Sequence, residues 1–210
     1  LAIGGGNPLT HPDLDWLLEL FYDRGLIANI TVHSDHYFRA AGRIRRLQMA
    51  GLIHGVGISQ GHPNSGLYTF VKLPEHLVWH VIAGAVPSSD LLHYEGDAPV
   101  LVLGYKRYGR GAQAYGDDVE ACLNEWRYWM GTILRRITAR GQRVCFDNLA
   151  LKQLGVQALV DPAVWERYYM GDDGQFTMYV DAVTDTFAPT STSTRITRDG
   201  RSIREMFATV

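Results

Sequence analysis

Cysteine and lysine are both scarce in this chain of 210 residues, and no long apolar run is present. Two cysteines, Cys122 and Cys145, cannot build a disulfide framework, and with no CxxC or Cys/His ligand cluster there is no structural zinc signature. A reducing, cytoplasmic setting suits such a composition. The apolar stretch from Leu77 to Val86 is interrupted by His80 and falls short of the ~20 residues that cross a bilayer, so no membrane partner is implied. Charge of one sign is also missing. Lys+Arg 20 against Asp+Glu 22 leaves a net charge of −2, which excludes a general basic field for nucleic acid. Only Lys72, Lys106 and Lys152 are lysine, a bias that carries no functional reading. What the sequence does have is 46% apolar and 20% charged residues, enough for one large core and against a disordered chain.

Short apolar runs alternate with amphipathic segments from Leu1 to about Ala112, the pattern of parallel strands joined by helices. Strands are expected at Leu1–Ile3, Ile27–Val32, Ile53–Ser59, Leu77–Gly84 and Val100–Tyr105. A first helix runs from an Asp13 cap to Gly25, and a second, basic one covers Arg39–Ala50. The segments Gln60–Leu67 and Pro87–Gly96 have weak periodicity and read as loop-rich crossovers. Asp117–Arg140 is the longest expected helix, followed by a possible strand at Arg143–Phe146 and an antiparallel pair at Phe176–Val183 and Thr186–Ser191. The expected organisation is an α/β, barrel-like part over residues 1–116, and a long helix with an α+β extension, packed on it, over 117–210. The chain opens with Leu1 inside a strand-like run, which reads as a cut N-terminus.

Ligands of parallel α/β folds sit at the carboxyl ends of the strands. Five such ends carry candidates: Gly4–Pro8, His33–His36, Ser59–Gln60, Ala83–Gly84 and Gly104–Lys106. Consecutive glycines let a ligand approach the backbone and expose amides and carbonyls, although an ordinary tight turn has the same appearance.

Ala2-Ile3-Gly4-Gly5-Gly6-Asn7-Pro8-Leu9, followed by His11-Pro12-Asp13-Leu14, resembles the second-strand GGEP motif of the radical S-adenosylmethionine enzymes. Val78–Gly84 is similar to that superfamily's fifth strand. Val100–Lys106 with Gly109-Arg110-Gly111 is similar to the sixth strand in one of its branches, and Phe146–Ala150 and Met170–Gly174 to the C-terminal extension of the same branch. The resemblance implies a partial (βα)6 TIM-like barrel missing its first βα unit. It implies two cofactors, S-adenosylmethionine and a four-iron, four-sulfur cluster, and radical hydrogen abstraction from a small-molecule or peptide substrate. By position, Gly4, Gly5 and Gly6 would meet the methionine amino group, with Asn7 standing where the family has Glu. Ser59 would lie near ribose, Ala83, Gly84, Gly104 and Tyr105 would flank adenine, and His80 would point into the barrel. The family's three-cysteine cluster motif does not occur in these residues, so any cluster ligands are expected upstream of Leu1 and none of the metal ligands lies in this chain. The alternative is a cluster-free, non-catalytic barrel acting as a binding module.

His33 and His36, with His80, suggest a metal set only if a turn brings the first two inward, because continued strand would put them on opposite faces. They read otherwise as substrate-side residues rimming the barrel. A metal-dependent hydrolase would need further convergent ligands. Lys106, Arg107 and Arg110, among Tyr105, Tyr108 and Tyr115, form a basic and aromatic loop that can clamp a substrate carboxylate or phosphate. Cys122 and Cys145 read as small buried apolar residues. Asp172 and Asp173 between glycines read as a turn, with a role in closing a substrate cavity as the alternative.

Overall fold

The structure is a computed structural model and describes residues 1–59, 72–94, 96–107 and 110–210; the expected crossover at Gln60–Leu67 falls outside them, as do Tyr108 and Gly109. Six strands, β1 (Ala2–Ile3), β2 (Asn29–His33), β3 (Val56–Ser59), β4 (Leu77–Ile82), β5 (Val100–Leu103) and β6 (Val144–Phe146), form one sheet in the order of the chain, every pair parallel. The sheet is open, with β1 and β6 as its edges. Where parallel strands follow the chain order without reversal, right-handed crossovers put the connecting segments along one face of a sheet.

Side-chain alternation follows from that coverage. Ile30, Val32, Val56, Ile58, Leu77, Trp79, Val81, Val100 and Val102 share the buried face, whereas Thr31, His33, Ser59, Val78, His80, Ile82, Leu101 and Leu103 point the other way and are half-buried. Helix α1 (Leu14–Asp23) contributes Leu14 and Leu18 to the core, and α2 (Ser34–Met49) contributes Tyr37, Ile44 and Leu47. Burial pushes the Tyr37 phenol up to about 12, and its hydroxyl donates to the Lys72 carbonyl at 2.6 Å. Two expectations about these helices change. Asp13 precedes α1 but its side chain makes no capping bond, and α2 starts five residues before Arg39, with His33 as its N-cap.

The chain forms two compact units. One comprises residues 1–105 and 116–154, the other 106–115 and 155–210. These do not coincide with a division at 116/117, because the long helix belongs with the sheet. After the five-residue α3 (Arg110–Ala114) of the second unit, α4 (Asp117–Ala139) brings Leu123, Trp126, Met130, Ile133 and Ile137 into the first core. The weakly periodic segment before β5 is a 3-10 turn over Ser88–His93 that packs on α4. Trp126 Nε1 and Cys122 Sγ both donate to the Val86 carbonyl, at 2.7 and 3.2 Å. The first unit closes with α5 (Asn148–Leu154).

The second unit holds α6 (Pro162–Tyr168), an antiparallel sheet of β7 (Tyr179–Asp181), β8 (Thr186–Ala188) and β9 (Ile196–Thr197), and α7 (Ile203–Phe207). The pair expected from sequence is present, and β9 adds a third strand too short to signal itself. Gly171 and Gly174 bracket Asp172 and Asp173 with positive φ, Gln175 N–H donates to the Asp172 carbonyl at 3.3 Å, and the segment is a turn.

Ser88 is fully buried, and Glu125 of α4 accepts both its amide, at 3.0 Å, and its hydroxyl, at 2.5 Å. Glu125→Ala strands both donors and should cost roughly 2–3 kcal/mol. Chemical denaturation measures it, and a loss within the range of an exposed substitution, below ~0.5 kcal/mol, would mean water replaces the carboxylate.

Candidate functional site

Because all six strands run the same way, the candidate residues at their carboxyl ends come to one edge of the sheet. The register aligns His33, Ser59, His80, Leu101 and Cys145 in a single row across β2 to β6 on the face opposite the core. Adjacent strands lie ~4.8 Å apart, so His33 and His80, with Ser59 between them, are ~10 Å apart at their backbones.

His80 lies over Gly57. A Cβ at residue 57 would stand 2.6 Å from both Cε1 and Nε2 of that imidazole and 3.1 Å from Thr31 Oγ1, so glycine there is the notch that seats the ring. Burial lowers the His80 pKa to about 4, leaving the ring neutral at ordinary pH. Its Nδ1 is buried and has no hydrogen-bond partner among the described residues, and the same holds for His36 Nδ1.

His33 and His36 do not lie on opposite faces of a strand. The chain turns into α2 at Ser34, and the two rings meet edge to face with centroids 5.9 Å apart. His33 Nδ1 accepts the Asp35 amide at 3.2 Å, a capping bond that needs an unprotonated nitrogen. Nonetheless the described residues contain no group of three or more His, Cys, Asp or Glu side chains placed to hold a metal ion.

Gly4, Gly5 and Gly6 follow β1 as exposed backbone. Gly5 and Gly6 have φ of +82° and +43°, and a Cβ at any of the three would find nothing within 4 Å. Backbone freedom, rather than packing, explains two of these glycines, and open space surrounds all three. Asn7 caps the next turn, its Oδ1 accepting from Leu9 N–H at 3.2 Å. Arg43 of α2 fixes that turn from outside, donating to the Leu9 carbonyl and to Asp15 Oδ1, both at 2.7 Å. Sequence reasoning missed Arg43, whose only signal was membership of a basic helix.

The residues expected to flank adenine behave differently. Ala83 is fully buried, and Gly84, at φ +88°, is closed by Leu123 and Val119 of α4, 3.0 and 3.3 Å from where a Cβ would be. Gly104 lies against α5, where a Cβ would come within 2.5 Å of Leu149 Cγ. Its amide donates to Asp147 Oδ1 at 2.9 Å, and Gln153 takes both the amide and the carbonyl of Tyr105, at 2.8 and 2.9 Å. Helix packing covers these four, and their backbone bonding is in good part committed. Asp147 and Gln153 carried no recognisable sequence signal for this role.

Cys145 is also corrected, since it is exposed on β6 rather than buried; Cys122 is half-buried, and burial pushes its thiol up. Lys106 belongs to the second unit, where its ammonium donates to Ser191 Oγ at 2.8 Å, and Arg107 lies over the Tyr115 ring at 4.3 Å. Arg110 opens α3, and its side chain lies outside the described residues. No helix among the described residues is long and apolar enough to cross a membrane.

In comparisons with known proteins, the chain matches no family model, no curated protein and no solved structure.

The His80 environment makes stability pH-dependent. The unfolded chain protonates this residue near 6.5 and the folded chain near 4, so between those values the unfolded state binds more protons and stability falls as pH falls. The loss attributable to His80 should reach roughly 2–3 kcal/mol by the lower value. Denaturation of His80→Gln across this window should give a flatter curve than the parent, and an equally steep one would place the acid sensitivity elsewhere.

Proposed function

We propose that this chain is the S-adenosylmethionine-binding part of a radical S-adenosylmethionine-type enzyme, folded as a partial, open (βα)6 barrel. The supporting observation is the unreversed order of six parallel strands with an exposed triglycine turn at the carboxyl end of the first, on the same edge as Ser59 and His80. In a closed (β/α)8 barrel the strands follow the chain in the same way, and ligands gather at that edge.

The residues present suit one implied cofactor better than the other. Gly4–Gly6 offer uncovered backbone for the ammonium and carboxylate of the methionine moiety, with Ser59 and His80 on neighbouring strands for its nucleoside. The iron–sulfur cluster, which supplies the electron for radical formation when bound, does not fit here. Cys122 on α4 donates its Sγ hydrogen to the Val86 carbonyl, Cys145 is the one cysteine on β6, and thiolate ligands for a four-iron cluster would have to come from outside these residues. The chain's own part in the chemistry is to bind, orient and keep the strand-end face free of fixed charge. None of the residues of β1 to β6 is Asp, Glu, Lys or Arg, and a neutral His80 does not repel a sulfonium cation. A cluster-free binding module would use the same face, and the cluster misfit is the observation in its favour.

Gly4 separates binding from folding, because its φ lies outside the left-handed region and a Cβ there meets nothing. Gly4→Val should weaken S-adenosylmethionine binding at least tenfold in calorimetric titration while leaving the thermal melt in place. Unaltered affinity, or no binding by the parent chain, overturns the proposed contact. Anaerobic treatment of the chain with iron and sulfide should yield no stoichiometric four-iron EPR signal; a signal abolished by Cys145→Ala would show that copies of the chain share ligands.

A further inference from the structure

The second unit contains a group of side chains that the reading above does not use. Lys106 and Arg195 are far apart in sequence, yet both bind the same residue, the ammonium donating to Ser191 Oγ at 2.8 Å and the guanidinium to the Ser191 carbonyl at 2.8 Å. Arg195 is held in place independently. It donates to the Thr190 carbonyl at 3.2 Å and lies over the Tyr179 ring, 4.0 Å from its centroid. The loop between them is equally fixed, since Thr190 Oγ1 accepts from the amides of Thr192 and Ser193 at 3.0 and 3.1 Å.

This arrangement brings two cations to one serine, with the Asp181 carboxylate as the acid within range of Arg195. Neither Lys106 nor Arg195 forms an ion pair among the described residues. The amides of Thr184 and Val183, which Asp181 Oδ1 accepts at 3.2 and 2.9 Å, and to a lesser degree the Arg195 charge hold that carboxyl below its ordinary range, so Asp181 is ionised and offsets part of the Arg195 charge without forming an ion pair with it. Like charges gathered on one serine repel, Asp181 offsets this only in part and on the Arg195 side, and burying part of the guanidinium against Tyr179 weakens the screening by water. Donors remain for a further counter-charge. Lys106 uses one bond of its ammonium, Arg195 retains N–H groups beyond the two engaged, and the Ser191 hydroxyl, which accepts from Lys106, keeps its own proton to donate.

We propose that Lys106, Ser191 and Arg195 form a binding site for the phosphate group of a phosphate monoester. Three donor groups, two of them cationic, match the three acceptor oxygens of such a group, whereas a carboxylate offers only two. A guanidinium already oriented by two carbonyls and an aromatic ring loses little freedom on binding, which favours recognition by its planar fork. The site is independent of S-adenosylmethionine binding and stands or falls separately from it.

Calorimetric and 31P NMR titration of the full chain with inorganic phosphate, with glycerol phosphate and with acetate tests the site. Saturable binding of both phosphates, with acetate at least tenfold weaker, is expected, and any preference for the ester over inorganic phosphate measures what the rest of the ligand adds. Lys106→Gln should lower phosphate affinity at least tenfold with an unchanged melt, because its side chain is exposed and supports only the Ser191 contact. Arg195→Lys retains charge but loses the fork and should lower affinity several-fold. No saturable phosphate binding, an affinity indifferent to Lys106→Gln, or acetate binding equal to phosphate overturns the proposal. S-adenosylmethionine titration of Lys106→Gln should match the parent, so failure of one site is distinguishable from failure of the other.

Discussion

The parallel register of β2 through β6 is the constraint on which the candidate site depends. Once Val32, Ile58, Trp79 and Val100 are committed to the buried face, residues one step further along β2, β3 and β4 must face the other way, and His33, Ser59 and His80 fall into line. A slip of one residue in β3 would exchange Ile58 for Ser59 in the core and remove Gly57 from beneath His80. The depressed pKa of that histidine is thus a property of sheet register as much as of its own surroundings.

The glycines divide into two physical kinds that look alike in sequence. Gly57, Gly84 and Gly104 are required by close approach, of an imidazole, of α4 and of α5 respectively, and their substitution would open contacts between elements. At Gly4 to Gly6 a side chain would meet nothing among the described residues, and the positive φ at two of them serves a turn whose backbone is exposed. An apolar run ending in glycine predicts a strand end in either case. Whether the glycine makes room for a neighbour or for a ligand depends on the helix that crosses it, and that information is nonlocal.

This is also where legibility stopped. The α/β pattern, the long helix over residues 117–139 and the strand at 144–146 were readable because their apolar residues repeat at helical or strand spacing over several turns or between clear breaks. The start of α2 was not, because His33 caps it with an imidazole rather than a hydroxyl or carboxamide, and the polar first turn Ser34–His36 mimics a loop. Cys145 reads as a core residue from its neighbours Val144 and Phe146, but β6 is an edge strand, so the side of it turned from the helices is left exposed. Asp147 and Gln153 could not have been assigned at all, since each acts on the backbone of Gly104 or Tyr105, more than forty residues away in sequence.

Charge is distributed according to the same logic. The six strands contain no Asp, Glu, Lys or Arg, so the field at their carboxyl ends arises from backbone dipoles, hydroxyls and the neutral His80 imidazole, groups that are oriented by the fold and need no counter-ion. In the second unit the reverse holds, with Lys106 and Arg195 fixed on one serine and no acid paired to either. A neutral, preorganised face tolerates a ligand carrying both signs of charge, such as a zwitterionic sulfonium, because it penalises neither end. Two cations held on one serine, with an acid near only one of them, favour an anion as ligand. If the two proposed sites hold, discrimination by charge falls to the β7–β9 unit, and the parallel sheet is left to discriminate by shape and hydrogen-bonding capacity.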